Sequence, residues 1–541
     1  MVKIVFYKEG TATQLVVHGM PFLILGGELG NSSAACPQDI ERIFPKLKRM
    51  GLNTVLVPAY WELIEPIEGQ FDFTLTDKVL QQARLNDLKI IFLWFGAWKN
   101  SMSCYAPLWF KENHKKYPRA YTQSGKPLEI ASAFSEAVYK ADQRAFSQWM
   151  QHIAMVDKKE GTVIMIQIEN EIGMLDARDY SHEANKAFNA PIPAEFMTYL
   201  QKNKKALHPQ MLDKWESQGC KKQGNWQEVF GADIYTDEIF MAWHYAKYVE
   251  GLAQTARSIY NIPLYVNAAM NSRGRKPGEY PSAGPLAHLI DVWHCGAPSI
   301  DILAPDLYDN GFTDWVAQYK LHNNPLFIPE IRLTDDNSIR AFYIFGEHDA
   351  IGISPFSIED GSDSPKSPLV QSYTQLKELM PLLTKYQGKG LMKGLLFDNE
   401  NKERIIIDDD LTVTARHFFT LPWDPRATNG ILLKLSKNEY VVAGSGIVLE
   451  FSKTSEKQTI EKQKQLGEDG FALGNDQIKT KHHKFKGKRC GIGYVDEVKV
   501  DKDGKLHYVR RLNGDQNHQG RHVRIPVGDF KILHVQLYEY Q

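Results

Sequence analysis

Eight short apolar runs punctuate the chain between Phe22 and Phe356: Phe22 to Gly26, Thr54 to Pro58, Ile90 to Phe95, Val163 to Ile168, Leu264 to Asn267, Ile300 to Ala304, Leu326 to Pro329 and Ile351 to Phe356. Helical patterns separate them. Parallel strands buried on both faces read as continuous apolar runs, so the alternation predicts βαβ units around a parallel sheet. Eight repeats predict closure into an α/β fold of the (β/α)8 TIM barrel type, with an open doubly wound sheet as the alternative. The mostly polar, helical excursion from Met174 to Tyr260 follows the fourth run, where barrels carry loops that shape a pocket.

Near Gly361 the segment GSDSPKSP breaks all periodicity. Ser367 followed by Pro368 predicts a helix start, with the helix running to about Tyr386. Beyond Gly388 the pattern turns to short β-rich runs such as Tyr440 to Val442 and Ile447 to Phe451, and Asp503-Gly504 marks a hairpin between Val498 to Val500 and Leu506 to Val509. The expected organisation is a barrel with its connecting helix over residues 1–387 and a smaller C-terminal β-sandwich-like domain over 388–541. The basic run from Lys479 to Arg489, with His482 and His483, reads as a solvated loop or a contact for an anionic ligand.

A chain of 541 residues exceeds what one core usually organises, in keeping with two domains. With 43% apolar residues, 24% charged residues and a formal charge of -1, it has no electrostatic footprint for nucleic acid or anionic membrane. Cys36, Cys104, Cys220, Cys295 and Cys490 are scattered without a CxxC spacing, which argues against a zinc site or disulfide scaffold and predicts buried thiols. No run is long enough to span a membrane. Met1 to Tyr7 is too short and too quickly polar for a signal peptide, so the expectation is cytoplasmic if Met1 is the native start, and periplasmic or secreted if a signal has been removed. The oligomeric state has no sequence signal.

Candidate chemistry gathers at two strand ends. The fourth run ends in Gln167-Ile168-Glu169-Asn170-Glu171, and the seventh leads into Pro329-Glu330. Barrel enzymes keep their chemistry at the carboxyl ends of the strands, so both carboxylates are expected at one rim. Hydrolysis of a glycoside with retention needs one carboxylic acid to protonate the leaving oxygen and one carboxylate to attack the anomeric carbon. Other chemistries lack their residues. No run carries a His-x-His for a metal, no glycine-rich phosphate loop follows runs seven or eight, and there is no GxSxG elbow. No cofactor and no metal are expected. A non-catalytic carbohydrate-binding barrel would not need the two carboxylates.

These motifs resemble the glycoside hydrolase clan whose acid/base and nucleophile end strands four and seven. The segments GGELGNSS from Gly26, GLNTV from Gly51, WELIEPIEGQFDF from Trp61, FGAWKNSMSCYAPLWF from Phe95, IQIENEIG from Ile166 and FIPEI from Phe327 are similar to family 35, the β-galactosidases, in its bacterial branch. The resemblance implies an exo-acting retaining enzyme, with Glu171 as acid/base, Asn170 on the sugar 2-hydroxyl, Glu330 as nucleophile and Tyr308 against it. The partner it implies is a carbohydrate ending in β-galactose. The runner-up is another exo-glycosidase of the clan, a β-glucosidase or a hexosaminidase-like enzyme. Pro58-Ala59-Tyr60-Trp61-Glu62 and Trp98-Lys99-Asn100-Ser101 depart from the eukaryotic members, so sugar contacts need physical candidates. A sugar takes polar groups beside an aromatic platform. Trp98, Lys99 and Asn100 follow run three and offer both. Trp94 reads as core, Glu28 as a hydroxyl partner or a structural ion pair, Phe356 as an apolar wall or core packing, and Glu65-Pro66 as a loop closure.

Overall fold

The computed structural model describes residues 3–270, 274–398, 401–418, 428–456 and 487–541. The basic run falls largely on 479–486, outside the described residues. Two compact units divide the chain: residues 1–7, 14–333 and 351–361, and residues 8–13, 334–350 and 362–541.

The first unit holds the eight parallel strands of a (β/α)8 barrel. Its strands are β1 Ile24–Leu25, β2 Thr54–Tyr60, β3 Lys89–Phe95, β4 Val163–Gln167, β5 Leu264–Ala269, β6 Ile302–Leu307, β7 Phe327–Ile331 and β8 Gly352–Pro355. They pair in parallel in the order β1-β8-β7-β6-β5-β4-β3-β2. The ring closes between β1 and β2, where Asn53 N–H donates to Leu25 O at 3.1 Å, Leu56 N–H to Gly27 O at 2.9 Å and Leu29 N–H to Leu56 O at 3.0 Å. Glycine is required at this seam, because a Cβ on Gly27 would lie 2.4 Å from the Ile358 side chain. Nearly every strand residue is buried, which is why the strands read as unbroken apolar runs.

Helices follow the strands: α1 Pro37–Arg49, α2 Thr74–Leu85, α3 Glu136–Asp157, α4 Ile234–Ile259, α5 Ile290–Gly296, α6 Phe312–Gln318, α7 Ala341–His348 and α8 Pro368–Tyr386. The Met174 to Tyr260 excursion adds four short helices before α4. Ser367 has an extended backbone, but its side chain makes no capping bond, so Pro368 in the first turn is the start signal of α8. Among the described residues, no helix is long and apolar enough to cross a membrane.

The second unit holds α7, α8 and a β-rich domain. The sequence reading divides the chain at Gly388, after α8. The two helices instead fall in the second unit, where Gly346 of α7 sits so close to Gly394 that a Cβ would come within 3.0 Å of its backbone. A six-stranded and a four-stranded antiparallel sheet share one apolar core, built from Leu395, Leu432, Val442, Leu533 and Val535 of one sheet and Val413, Ala415, Leu449 and Val523 of the other. The Asp503-Gly504 turn joins Arg489–Val500 to Leu506–Leu512 as an antiparallel hairpin. The cysteines depart from expectation: all five are free, but four are half-buried and Cys104 is exposed, because they sit in loops and at element edges rather than inside barrel strands.

Glu65 shows how a loop motif becomes structure. Its fully buried carboxylate accepts from the Trp61 indole N–H at 2.9 Å, the Gly69 amide at 2.7 Å and the Arg144 guanidinium at 2.6 Å. Removing the carboxylate strands an indole and an amide donor. Glu65→Ala is expected to lower stability by about 2–3 kcal/mol, read by thermal or urea unfolding of the whole chain. An unchanged melting curve would show that water satisfies these donors instead.

Candidate active site

The end of β4 is bent to deliver a carboxylate. Regular strand geometry stops at Gln167, and Glu169 and Glu171 then take left-handed backbone at φ 58° and 45°. Such conformations cost non-glycine residues on the order of 1–3 kcal/mol each and survive only where the surroundings impose them. Here the loop after β3 imposes them. Asn100 N–H donates to Asn170 O at 3.2 Å, Ser101 N–H to Glu171 O at 3.3 Å and Asn170 N–H to Trp98 O at 3.2 Å, so the β3 and β4 loops zip together past the strands. Asn100 and Ser101 are themselves left-handed, at φ 49° and 59°.

Beneath this zipper lies a second acidic pair that sequence reasoning passed over. Glu169 accepts from the Trp98 amide at 2.7 Å, and Asp142 of α3 accepts from the Trp94 indole at 2.9 Å and the Tyr248 hydroxyl at 2.7 Å. Both carboxyls are fully buried, and burial pushes both upward, Glu169 strongly. Burial therefore favours the protonated form of each, and the pair acts as a strut under the rim, tied to Trp98, Trp94 and Tyr248.

At the rim itself three carboxylates converge. One oxygen from each of Glu171, Asp306 and Glu330 lies within 4.8 Å of the others. Asp306, one residue before the end of β6, lies directly opposite Glu330 in the β6–β7 register. Each member has one oxygen tied to a neutral donor: Asn100 Nδ2 donates to Glu171 Oε2, the Tyr308 hydroxyl donates to Glu330 Oε1, and Asn267 Nδ2 donates to Asp306 Oδ2 at 2.6 Å. Hard divalent cations take six or more oxygens. The trio offers one remaining oxygen per residue, so a cation held there would draw its other ligands from water or substrate, while two carboxyls this close can equally share a proton.

The electrostatics follow from burial. Glu171, 5% exposed, is raised to about 7, first by desolvation and then by the charge of Glu330, while Lys99, Asp306 and Asn100 pull it back. Desolvation also raises Asp306 and Glu28 well above the carboxyl range. Glu28 is anchored between β2 and β8 by bridges to Leu56 and Phe356, and neither of its carboxyl oxygens has a hydrogen-bond partner among the described residues. Among the described residues no cation lies within ion-pair distance of it. Lys99, 3% exposed with its ammonium 4.9 Å over the Phe95 ring, supplies the attraction that Glu28 and Glu171 feel.

The remaining candidates divide. Asn170 is fully buried, with no partner for its side-chain oxygen or nitrogen among the described residues. Tyr308 is 37% exposed above Glu330, and Phe356 is half-buried beside Glu28. Trp98 corrects the aromatic-platform expectation. Its ring is fully buried in T-shaped contacts with Tyr245 and Tyr248, with centroids at 5.4 and 4.7 Å, so it packs as core. Trp94 is core as expected, stacked on Trp149. Sequence reasoning missed Asp306 and Asn267, whose signal was a polar residue within or just past an apolar strand run. The excursion walls a separate cavity of about 870 Å3, with Met211, Tyr235 and Glu238 facing Arg275, His288 and Trp315 and none of the rim carboxylates lining it.

Comparison with known proteins adds a family. Residues 33–229 match the β-galactosidase model of glycoside hydrolase family 42, and residues 369–524 match a model described only as a domain of unknown function, DUF5597. The matched family is 42 and not the family 35 that the motifs resemble. A β-galactosidase of Xanthomonas manihotis is 26% identical over 182 residues, 32% of this chain and 27% of that protein. Among solved structures, β-galactosidases from Halorubrum lacusprofundi (14% identity, TM-score 0.45, 65% of this chain and 58% of that one) and G. stearothermophilus (15%, 0.45, 68% and 57%) are similar. The chain thus spans about a quarter of the curated relative and under two thirds of these solved chains.

A group held near 7 when folded and near about 4.3 when unfolded carries a signed consequence. Burial favours its protonated form, so its contribution to stability is complete below about pH 4 and is lost as pH rises towards 7. Glu171→Gln is expected to melt with wild type at pH 4 and above it at pH 8, in scans across that range. Parallel curves at every pH would mean that Glu171 titrates as an exposed carboxyl.

Proposed function

We propose that this protein is a retaining exo-β-glycosidase that releases terminal, non-reducing β-D-galactose by double displacement. The observation that carries the reading is the pair at the ends of strands four and seven: Glu171 and Glu330, oxygens within 4.8 Å, one held protonated to about pH 7. That closeness belongs with retention, where the carboxyls stand about 5–5.5 Å apart, and not with inversion, which needs room for a water between them. In this reading Glu171 protonates the leaving oxygen while Glu330 attacks the anomeric carbon. The carboxylate left on Glu171 then takes a proton from the water that cleaves the glycosyl ester. Tyr308 orients Glu330, and Asn170 has both polar atoms unspent for the sugar 2-hydroxyl. Lys99, Asn100, Glu28 and Phe356 complete the pocket.

The galactose label draws its support from the family 42 match, which spans Glu171 and ends before Glu330. Family 42 lies in the same clan, whose acid/base and nucleophile end strands four and seven, and that supports reading Glu171 and Glu330 in these roles under either family number. The narrower family 35 reading rests on the quoted motifs alone.

Among nitrophenyl glycosides the β-galactoside is expected to turn over fastest, and a preference for β-glucoside or β-N-acetylglucosaminide would move the label to the runner-up activities. A 2-deoxy-2-fluoro galactoside with an activated leaving group should accumulate as an ester on the peptide containing Phe327 to Arg332, read by mass spectrometry. Glu330→Gly should lose turnover and, with azide, return an α-glycosyl azide. A label on another carboxylate, or a β-azide from that variant, would sink the assignment of Glu330.

A further inference from the structure

Double displacement uses two carboxyls, yet the rim holds a third within reach of both. Asp306 is fully buried, and its setting decides which of its oxygens can carry a proton. The side-chain oxygen of Asn267 accepts from the Glu171 backbone N–H at 2.9 Å, which fixes the amide orientation. Its Nδ2 must then donate, and it does so to Asp306 Oδ2 at 2.6 Å. Oδ2 is therefore an acceptor. The other oxygen, Oδ1, is buried and has no hydrogen-bond partner among the described residues. A proton on Asp306 belongs there, and an oxygen of this carboxyl lies within 4.8 Å of Glu171 and Glu330.

We propose that Asp306 is a permanently protonated positioning residue, whose Oδ1–H hydrogen-bonds Glu171 whenever Glu171 is ionised. The inference rests on the glycosidase reading for its mechanistic meaning. In the first step Glu171 gives its proton to the glycosidic oxygen as the carbon–oxygen bond breaks and the ester to Glu330 forms. Asp306 keeps its own proton and donates a hydrogen bond to the carboxylate created on Glu171. In the second step that carboxylate takes a proton from water, whose oxygen bonds the anomeric carbon as the Glu330 ester breaks. The proton count returns to its start with Asp306 unchanged. The groups facing Asp306 explain why it stays neutral: Glu171 from the β4 end, Glu330 from β7, Glu28 from β1, and the hydroxyls of Tyr265, Tyr308 and Tyr319, with Lys99 nearer Glu28 and Glu171. A carboxyl this close to an ionised neighbour in a dry site holds its proton to higher pH.

Two variants separate a neutral donor from a charge. Asp306→Asn keeps the shape, an acceptor for Asn267 and a donor for Glu171, so the alkaline limb of kcat/KM should stay where wild type has it. Asp306→Ala removes the donor and should move that limb up by about one to two pH units, the worth of one hydrogen bond to a charged group, with poor leaving groups losing most. An alkaline limb that moves to lower pH in Asp306→Asn would mean an ionised neighbour had been removed, and would overturn the proposal. So would an unmoved limb in Asp306→Ala. Infrared difference spectra at pH 7 give a readout independent of turnover: Asp306→Asn should lose a protonated-carboxyl carbonyl band, and loss of only a carboxylate band overturns the proposal. An enzyme inactive on every glycoside, but with that band lost, would instead discard the glycosidase reading and leave a neutral Asp306 standing.

Discussion

Four carboxyl groups, Glu28, Glu171, Asp306 and Glu330, are buried at one end of a barrel that offers them, among the described residues, the ammonium of Lys99. Unpaired buried charges cost several kcal/mol each, so the group can persist only by holding protons and by spending neutral donors on the charge that remains. Much of the rim follows from this constraint. Asn100, Tyr308 and Asn267 each give one hydrogen to one carboxyl, and Glu28 is left without a donor among the described residues. A carboxylic acid and a carboxylate standing side by side is also the starting state that a double displacement needs.

Holding such a group requires rigid backbone. The β3 and β4 loops supply it through a zipper whose left-handed residues would relax if the hydrogen bonds were absent. The Glu169–Asp142 pair braces that zipper from below, since Glu169 takes the Trp98 amide while Asp142 reaches it from α3. Buried carboxyls thus serve twice, as strut below and as chemistry above. This arrangement explains why the segment Glu169-Asn170-Glu171 is polar although it is entirely buried.

Much of this was legible in the chain. Strands buried on both faces leave apolar runs, so all eight barrel strands could be located, and Glu171 and Glu330 stood out because each follows such a run. Asp306 does not, because the sixth apolar run ends at Ala304 while the strand continues to Leu307 through a proline and an aspartate. Asn267 closes an apolar run, and nothing in the run itself points to a partner for its amide. Trp98 follows a strand at the rim, and only tertiary packing shows that Tyr245 and Tyr248 of the distant α4 cover it. Periodicity describes which face is apolar; it does not say which polar groups meet across the ring.

Proton positions decide whether four carboxyls truly share their burden in this way. Neutron diffraction from deuterium-exchanged crystals grown near pH 6 would locate them directly. Deuterium is expected on Glu171 and on Oδ1 of Asp306, with none on Glu330, whose Oε1 instead receives the deuteron of Tyr308. A deuteron on Glu330, or bare oxygens on both Glu171 and Asp306, would contradict the assignment of acid, nucleophile and neutral neighbour.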